Sequence, residues 1–384
     1  MVSLLLAIIY ISFVSLGLPD ALLGAAWPVM QTQMQVPVSY AGGISLIIAV
    51  GTVISSLQSD RLTKWLGTGK VMVISVAMTA LAIFGFSLSN AYWQLCLWAI
   101  PYGLGAGSVD ASLNNYVALH YASRHMSWLH CMWGLGASIG PYIMGAALTG
   151  GMHWNTGYGI IAVLQIILTA VLFFSLPLWK KSGNQSPEGA TEKPLSLKQI
   201  ISIPGAKEVM IAFFCYCALE QTAILWGSSY LVIHNGMDEE RAASLASLFL
   251  MGLTIGRALN GFLTYKINDT NLIRLGQGII GLGVVIMLLP LGDLASFTGL
   301  MLCGLGCAPI YPCIIHSTPE HFGEKNSQAL IGVQMASAYV GICCMPPIFG
   351  LIANHLSASL LPWYLGAILI LMFMMCEQLN KKCA

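Results

Sequence analysis

The chain has 384 residues, 57% hydrophobic and only 8% charged, with a mean hydropathy of +0.77 and a formal net charge of +1. Soluble domains carry about 25% charged residues, so the composition excludes an ordinary soluble fold and indicates a chain embedded in a membrane. The near-zero net charge offers no bulk polarity for nucleic acid.

A spanning helix needs about 20 mainly apolar residues. Twelve segments qualify: 3–31, 39–59, 70–89, 91–118, 127–149, 157–178, 207–234, 240–263, 271–290, 294–316, 327–352 and 360–378. The first opens on MVSLLLAIIYISF, which lacks the basic region and cleavage site of a secretion signal and is read as a retained spanning helix. Runs this long and apolar exclude a membrane barrel, which is built from short alternating strands. Pro19 is expected to kink the first helix beside Asp20. The eleven cysteines lie mostly in these runs (Cys96, Cys215, Cys217, Cys303, Cys307, Cys343, Cys344), where Cys acts as a small hydrophobe. They have no metal-type spacing, so neither a disulfide framework nor a zinc site is expected.

One long polar stretch, KKSGNQSPEGATEKPLSLKQISIPGAK at 180–206, divides the chain into halves, 1–179 and 207–384. The halves echo each other: PYGLGAGSVD at 101–110 resembles LCGLGCAPIYP at 302–312, and Asp20 in the first helix has a counterpart in Glu220 of the seventh. The expected fold is an all-α membrane protein of twelve transmembrane helices in two pseudo-symmetric six-helix halves, the pattern of carriers that rock about a central site. Lys and Arg set the orientation. Arg61, Lys64, Lys70, Arg124, Lys180, Lys181, Lys193, Lys198, Lys266, Lys325, Lys381 and Lys382 fall on one side, and only Arg241 on the other. Both termini and the 180–206 linker are therefore expected in the cytoplasm, where sequons at Asn184 and Asn268 would go unused.

A charge at a helix centre costs about 2.5–3.5 kcal/mol on insertion scales. Asp20, Asp110, Glu220 and Arg257 all lie inside apolar runs. They could simply pair with one another, but three acids face one base. At least two acids must be protonated, bound to a cation or facing water, and ion-coupled carriers use those states. Asp20, Gly24, Trp27 and Gln31 recur at helical spacing, and Asn114 follows Asp110 by one turn. Glu220, Gln221 and Trp226 offer similar chemistry from the second half. Sugars need aromatic faces for their C–H groups and donors and acceptors for their hydroxyls. His130 and Trp133, in SWLHCMWGLGASIGP, are a further candidate pair, although a lone helical His often only packs. Gln334 shares a face with Ser337. Trp93, Trp179 and Trp363, at segment ends, read as interface anchors.

Three patches make the reading more specific: SDRLTKWLGTGK at 59–70, CALEQTAILWGSSYLV at 217–232 and SLFLMGLTIGRALNGFL at 247–263. With these the chain resembles the Major Facilitator Superfamily over nearly its whole length, and within it the fucose permease-like sugar:proton symporters. The resemblance implies that Asp20 and Asp110 couple protons. The corresponding helix-four acid in that group is a Glu, one methylene longer. Arg257 is either the partner of an acid or a sugar contact, and the resemblance favours cavity lining; the residues themselves offer Trp27, Gln31, Asn114, Asn115, His130, Trp133, Glu220, Gln221, Trp226 and Gln334 as further cavity candidates. Asp60 and Arg61, at a helix end, are read as a conformational latch between helices. GQGIIG at 276–281 matches a dinucleotide fingerprint but has no preceding strand, and its glycines suit close helix packing instead. In HSTPEH at 316–321, Pro319 is expected to break any helix that would aim His and Glu at a metal.

The expected function is secondary transport of a small polar solute, a monosaccharide above others, by proton symport across the cell membrane. The expected partners are sugar, protons and lipid, with a monomeric chain and no nucleic acid, metal or cofactor. The alternatives are an exporter of amphipathic compounds on the same fold, or sodium coupling. No nucleophile–base or metal constellation points to an enzyme, and no soluble domain points to a sensor.

Overall fold

The computed structural model describes residues 2–182 and 194–383. Among these, helices are joined by short connections and no strand occurs. Most of the polar linker, with Asn184, lies outside the described residues. The helices are α1 (Val2–Asp20), α2 (Leu22–Met34), α3 (Tyr40–Leu66), α4 (Thr68–Leu88), α5 (Tyr92–His120), α6 (Ser123–Thr149) and α7 (Trp154–Ser182). They continue with α8 (Leu197–Ser202), α9 (Ala206–Asn235), α10 (Glu239–Ala246), α11 (Leu248–Leu263), α12 (Asp269–Met287), α13 (Asp293–Phe322), α14 (Glu324–His355) and α15 (Leu361–Cys383). Each of the twelve apolar segments coincides with one helix, or with a pair broken by a single residue (α1–α2 at Ala21, α10–α11 at Ser247). Ten of the spans are long and apolar enough to cross a membrane. The short α8 in the linker starts on a capping box, Ser196 with Gln199. Single glycines turn the chain between α3 and α4 (Gly67, φ +78°) and between α13 and α14 (Gly323, φ +78°), a backbone region other residues avoid.

The helices form two compact units, residues 1–116 with 129–195, and residues 117–128 with 196–384. In the first unit, glycines let backbones touch. A Cβ on Gly136 or Gly140 would sit 2.0 Å from the carbonyl oxygen of Val14 or Leu18, which seats α6 on α1. Gly103 in α5 packs in the same way on the Ile48 carbonyl of α3, and Thr52 donates across that seam to the Gly103 carbonyl at 3.2 Å. Gln165 of α7 donates to the Ser15 carbonyl of α1 at 2.7 Å. In the second unit, Gly276 of α12 and Gly306 of α13 face each other's carbonyls, and Gly304 of α13 sits on the Phe249 carbonyl of α11. The internal echo thus has a structural cause, because GLG in α5 and in α13 each lets a partner helix approach closely. Of the GQGIIG glycines, Gly276 alone lies in the α12–α13 seam; Gly278 has open space around it and Gly281 lies near Leu369 of α15.

Two expectations are corrected. Pro319 does not end a helix: α13 runs through Pro309, Pro312 and Pro319. In a helix packed on several sides, neighbours stabilise the conformation despite the missing N–H. Trp179 is no interface anchor either. Its ring is buried, Gly69 packs on it, and Tyr116 lies 4.9 Å away between centroids. Trp93 and Trp363, both 64% exposed, keep positions suited to an interface. All eleven cysteines are free thiols, and Asn268 caps α12 by accepting from the Asn271 N–H.

Candidate functional site

The helix break after Pro19 places Asp20 as the last residue of α1. Its carboxylate accepts two hydrogen bonds, from the Tyr102 hydroxyl at 3.0 Å and from Trp133 Nε1 at 2.8 Å. The α1–α6 glycine seam brings Trp133 within reach, and α5 supplies Tyr102 immediately after Pro101. Asp110, eight residues further along α5, accepts from Asn114 Nδ2 at 2.7 Å. The same amide's Oδ1 faces His130 Nε2 at 3.1 Å. With Nδ2 committed to Asp110, that oxygen accepts, so His130 carries its proton on Nε2. Phe13 of α1 braces the His130 ring edge-on, 5.4 Å away. The structure therefore brings Asp20 and Trp133 together, and Asp110 with Asn114 and His130. No basic side chain forms an ion pair with either acid among the described residues.

In the second unit, the Glu220 carboxylate lies 3.7 Å from the Arg257 guanidinium, and the Tyr216 hydroxyl donates to it. Arg257 is buried, 4% exposed. Tyr216, Phe213 and Tyr311 form an aromatic cluster beside the pair, with Phe213 and Tyr311 centroids 4.7 Å apart. The single intramembrane base is thus matched with the acid of the second unit, while Asp20 and Asp110 keep only neutral donors. A hydrogen bond to a charged group contributes about 1.5–3 kcal/mol. Two such bonds offset much of the cost of holding Asp20 ionised in an apolar helix.

The other candidates are scattered. Trp27 is buried in an apolar core with Leu22, Phe86 and Trp154, and its indole N–H goes to the Val38 carbonyl at 2.8 Å. The turn at Ala21 breaks the stripe that straight helical spacing would have drawn from Asp20 through Gly24 and Trp27 to Gln31. Gln31 and Gln221 are half-buried, and Asn115 is buried. Trp226 donates to the Pro346 carbonyl at 2.9 Å and packs against Phe349. Gln334 is fully buried and bonded to Thr318 at 3.0 Å. Asp60 pairs with Lys64 on its own helix at 2.9 Å, while Arg61 is exposed beside it. Two site residues had escaped the sequence reading. Tyr216 stands one turn before Glu220, a spacing that could have revealed it. Tyr102 has no local signal, because only the packing of α5 on α1 aims it at Asp20.

Residues 9–301, and in an overlapping match 209–377, fit the family described as the Major Facilitator Superfamily. The yeast Saccharomyces cerevisiae "Bypass of stop codon protein 6" is 22% identical over 94% of this chain and 80% of its own length. The "Glucose/mannose transporter GlcP" of Bacillus subtilis is 22% identical over 63% of this chain and 61% of its own length. Among solved structures, the Escherichia coli fucose:proton symporter FucP superposes with a TM-score of 0.74 at 16% identity, covering 97% of this chain and 98% of that one, a likeness of fold. The chain belongs to the Major Facilitator Superfamily and is a multi-pass membrane transporter, not an enzyme.

Proposed function

We propose that this transporter moves a small polar solute, most suitably a monosaccharide, in symport with protons across the cell membrane, with both termini cytoplasmic. One observation carries the reading. Two carboxylates, Asp20 and Asp110, stand in apolar helices of one unit with neutral donors and, among the described residues, no ion pair to a cation. An acid so placed is costly when charged, and a proton or a solute donor relieves that cost. Asp20, with Tyr102 and Trp133 at fixed distances, presents an acceptor beside an indole face, the pairing that a sugar's hydroxyls and C–H face need. Asp110 is held by Asn114, itself oriented by His130, which suits a group that takes up and releases the transported proton without moving far. GlcP by its name carries glucose and mannose, and FucP couples fucose to protons; both agree with this reading.

The test is uptake into proteoliposomes from a panel of sugars, under separate pH and sodium gradients. A pH gradient should drive accumulation and a sodium gradient should not. Asp110→Asn holds the site in a neutral, proton-loaded form. Solute should then still exchange across the membrane, while uphill accumulation, worth about 2.3 kcal/mol per 100 mV for each charge moved, should vanish. Unchanged uphill uptake by this variant removes Asp110 from the coupling mechanism.

A further inference from the structure

His316 lies near the end of α13, in the HSTPEH stretch that the transport reading leaves unused. Its ring meets two oxygens. Nδ1 stands 2.6 Å from Asp269 Oδ2 at the start of α12, and Nε2 stands 3.1 Å from the backbone carbonyl of Tyr121. A carbonyl can only accept a hydrogen bond, so Nε2 must carry a proton. The Nδ1–carboxylate contact then needs a second one, either on the ring or on the acid. A neutral ring against an ionised carboxylate would point a nitrogen lone pair at oxygen. The arrangement is complete only with one proton more than a neutral imidazole and a free carboxylate hold between them.

What this proton fastens is the connection between α5 and α6, residues 117–128, which belongs to the second compact unit. Ser123 donates to the other oxygen of Asp269. Asn260 of α11 donates to Ser127 at 2.7 Å, Trp128 packs on Gly261 and Phe262, and the Arg124 guanidinium sits over the Tyr265 ring at 5.0 Å. Of these contacts, Asp269–His316 is the one that joins an imidazole to a carboxylate, and it is the part of the fastening proposed to respond to pH. The ionisable groups around it include Cys313, Glu320 and His321 on its own helix, Tyr265 beyond α11, and His120, Tyr121, Arg124 and His125 on the connection. Glu320 is negative like Asp269 and favours the same cation. His321, His125 and His120 are the other imidazoles near the connection and are the rivals to be controlled.

We infer that His316 and Asp269, with Ser123, form a proton-binding site that fastens the α5–α6 connection, closed when the extra proton is bound and loosened when it leaves. The connection continues directly into α5, which carries Asp110 and Asn114, and into α6, which carries His130 and Trp133. The proton at His316 thus governs how firmly the ends of both site helices are held, whichever solute is carried.

Hydrogen exchange of the full-length protein in nanodiscs tests this, read by mass spectrometry over residues 117–128 at pH 6 and pH 8.5. Rates are normalised to intrinsic exchange at each pH, and peptides from α4 and α7 serve as the reference for an intact fold. Protection of the wild-type connection should fall about tenfold at the higher pH, the weight of one charge-assisted hydrogen bond. His316→Gln and Asp269→Asn should each show the low protection at both pH values, with α4 and α7 unchanged. His321→Gln, His125→Gln and His120→Gln should keep the wild-type response. Equal wild-type protection at both pH values overturns the inference without any variant. So does a His316→Gln protein that keeps the pH response, or a His321→Gln, His125→Gln or His120→Gln protein that loses it.

Discussion

Gly136→Ala isolates the seam that presents Trp133 to Asp20. A Cβ at Gly136 would lie 2.0 Å from the Val14 carbonyl oxygen, and ordinary contact begins at 3.4 Å, so α1 and α6 must part locally by about 1.4 Å. Overpacking of this kind costs about 1–3 kcal/mol, against which the better helix propensity of Ala returns at most about 1 kcal/mol. Trp133 lies one turn before Gly136, and its N–H reaches Asp20 at 2.8 Å. A displacement of that size takes the pair beyond hydrogen-bond range. Losing a hydrogen bond to a charged acceptor weakens the site by about 1.5–3 kcal/mol, so uptake at low solute concentration should fall tenfold or more. Gly145→Ala is the control. It lies on the same helix but has nothing within 4 Å of the added carbon, so the variant should be as stable as the parent or slightly more so. Thermal unfolding in detergent, followed by a thiol-reactive fluorophore on the buried cysteines, measures both variants, and proteoliposome uptake reads function. The close-seam argument fails if Gly136→Ala melts and transports like the parent, or if Gly145→Ala is equally damaging.

Arg257→Met leaves the half-buried Glu220 without its cation and should destabilise the protein by about 3 kcal/mol, the lower end for a fully buried pair, whereas the double variant Glu220→Gln with Arg257→Met should recover much of this; equal unfolding temperatures for the two would show that the pair is not coupled. Asp20→Asn retains an acceptor for one of its two donors and should weaken uptake, while Asp20→Leu removes the acceptor of both Tyr102 and Trp133 and should nearly abolish it; parental uptake by the Leu variant removes Asp20 from the site. In a background without reactive cysteines, an impermeant reagent applied to intact cells should label Asn90→Cys, in the α4–α5 connection, and not Lys198→Cys, in α8. The reverse pattern overturns the proposed orientation.

Much of the architecture is visible in the chain itself, because membrane helices announce themselves locally. An apolar run long enough to cross must satisfy its own backbone, so every one of the twelve segments found its helix. Glycine spacing in GLGAG also foretold where backbones would meet, whereas in GQGIIG only Gly276 meets another backbone. The scarcity of intramembrane charge singled out Asp20, Asp110, Glu220 and Arg257 before any packing was known. Local pattern does not say which face of one helix meets which face of another, and partnerships depend on that. Trp133 reaches Asp20 across 113 residues of sequence and Tyr102 across 82, while Arg257 goes to Glu220 rather than to either aspartate. The turn at Ala21 sends Trp27 into an apolar core although its spacing from Asp20 is helical. His316, set aside in the sequence beside a proline, finds Asp269 only where α12 packs against α13. Periodicity is a property of each helix alone, whereas the pairing of an acid with its donor or its cation is a property of the contact between helices, and it exists only once they are packed.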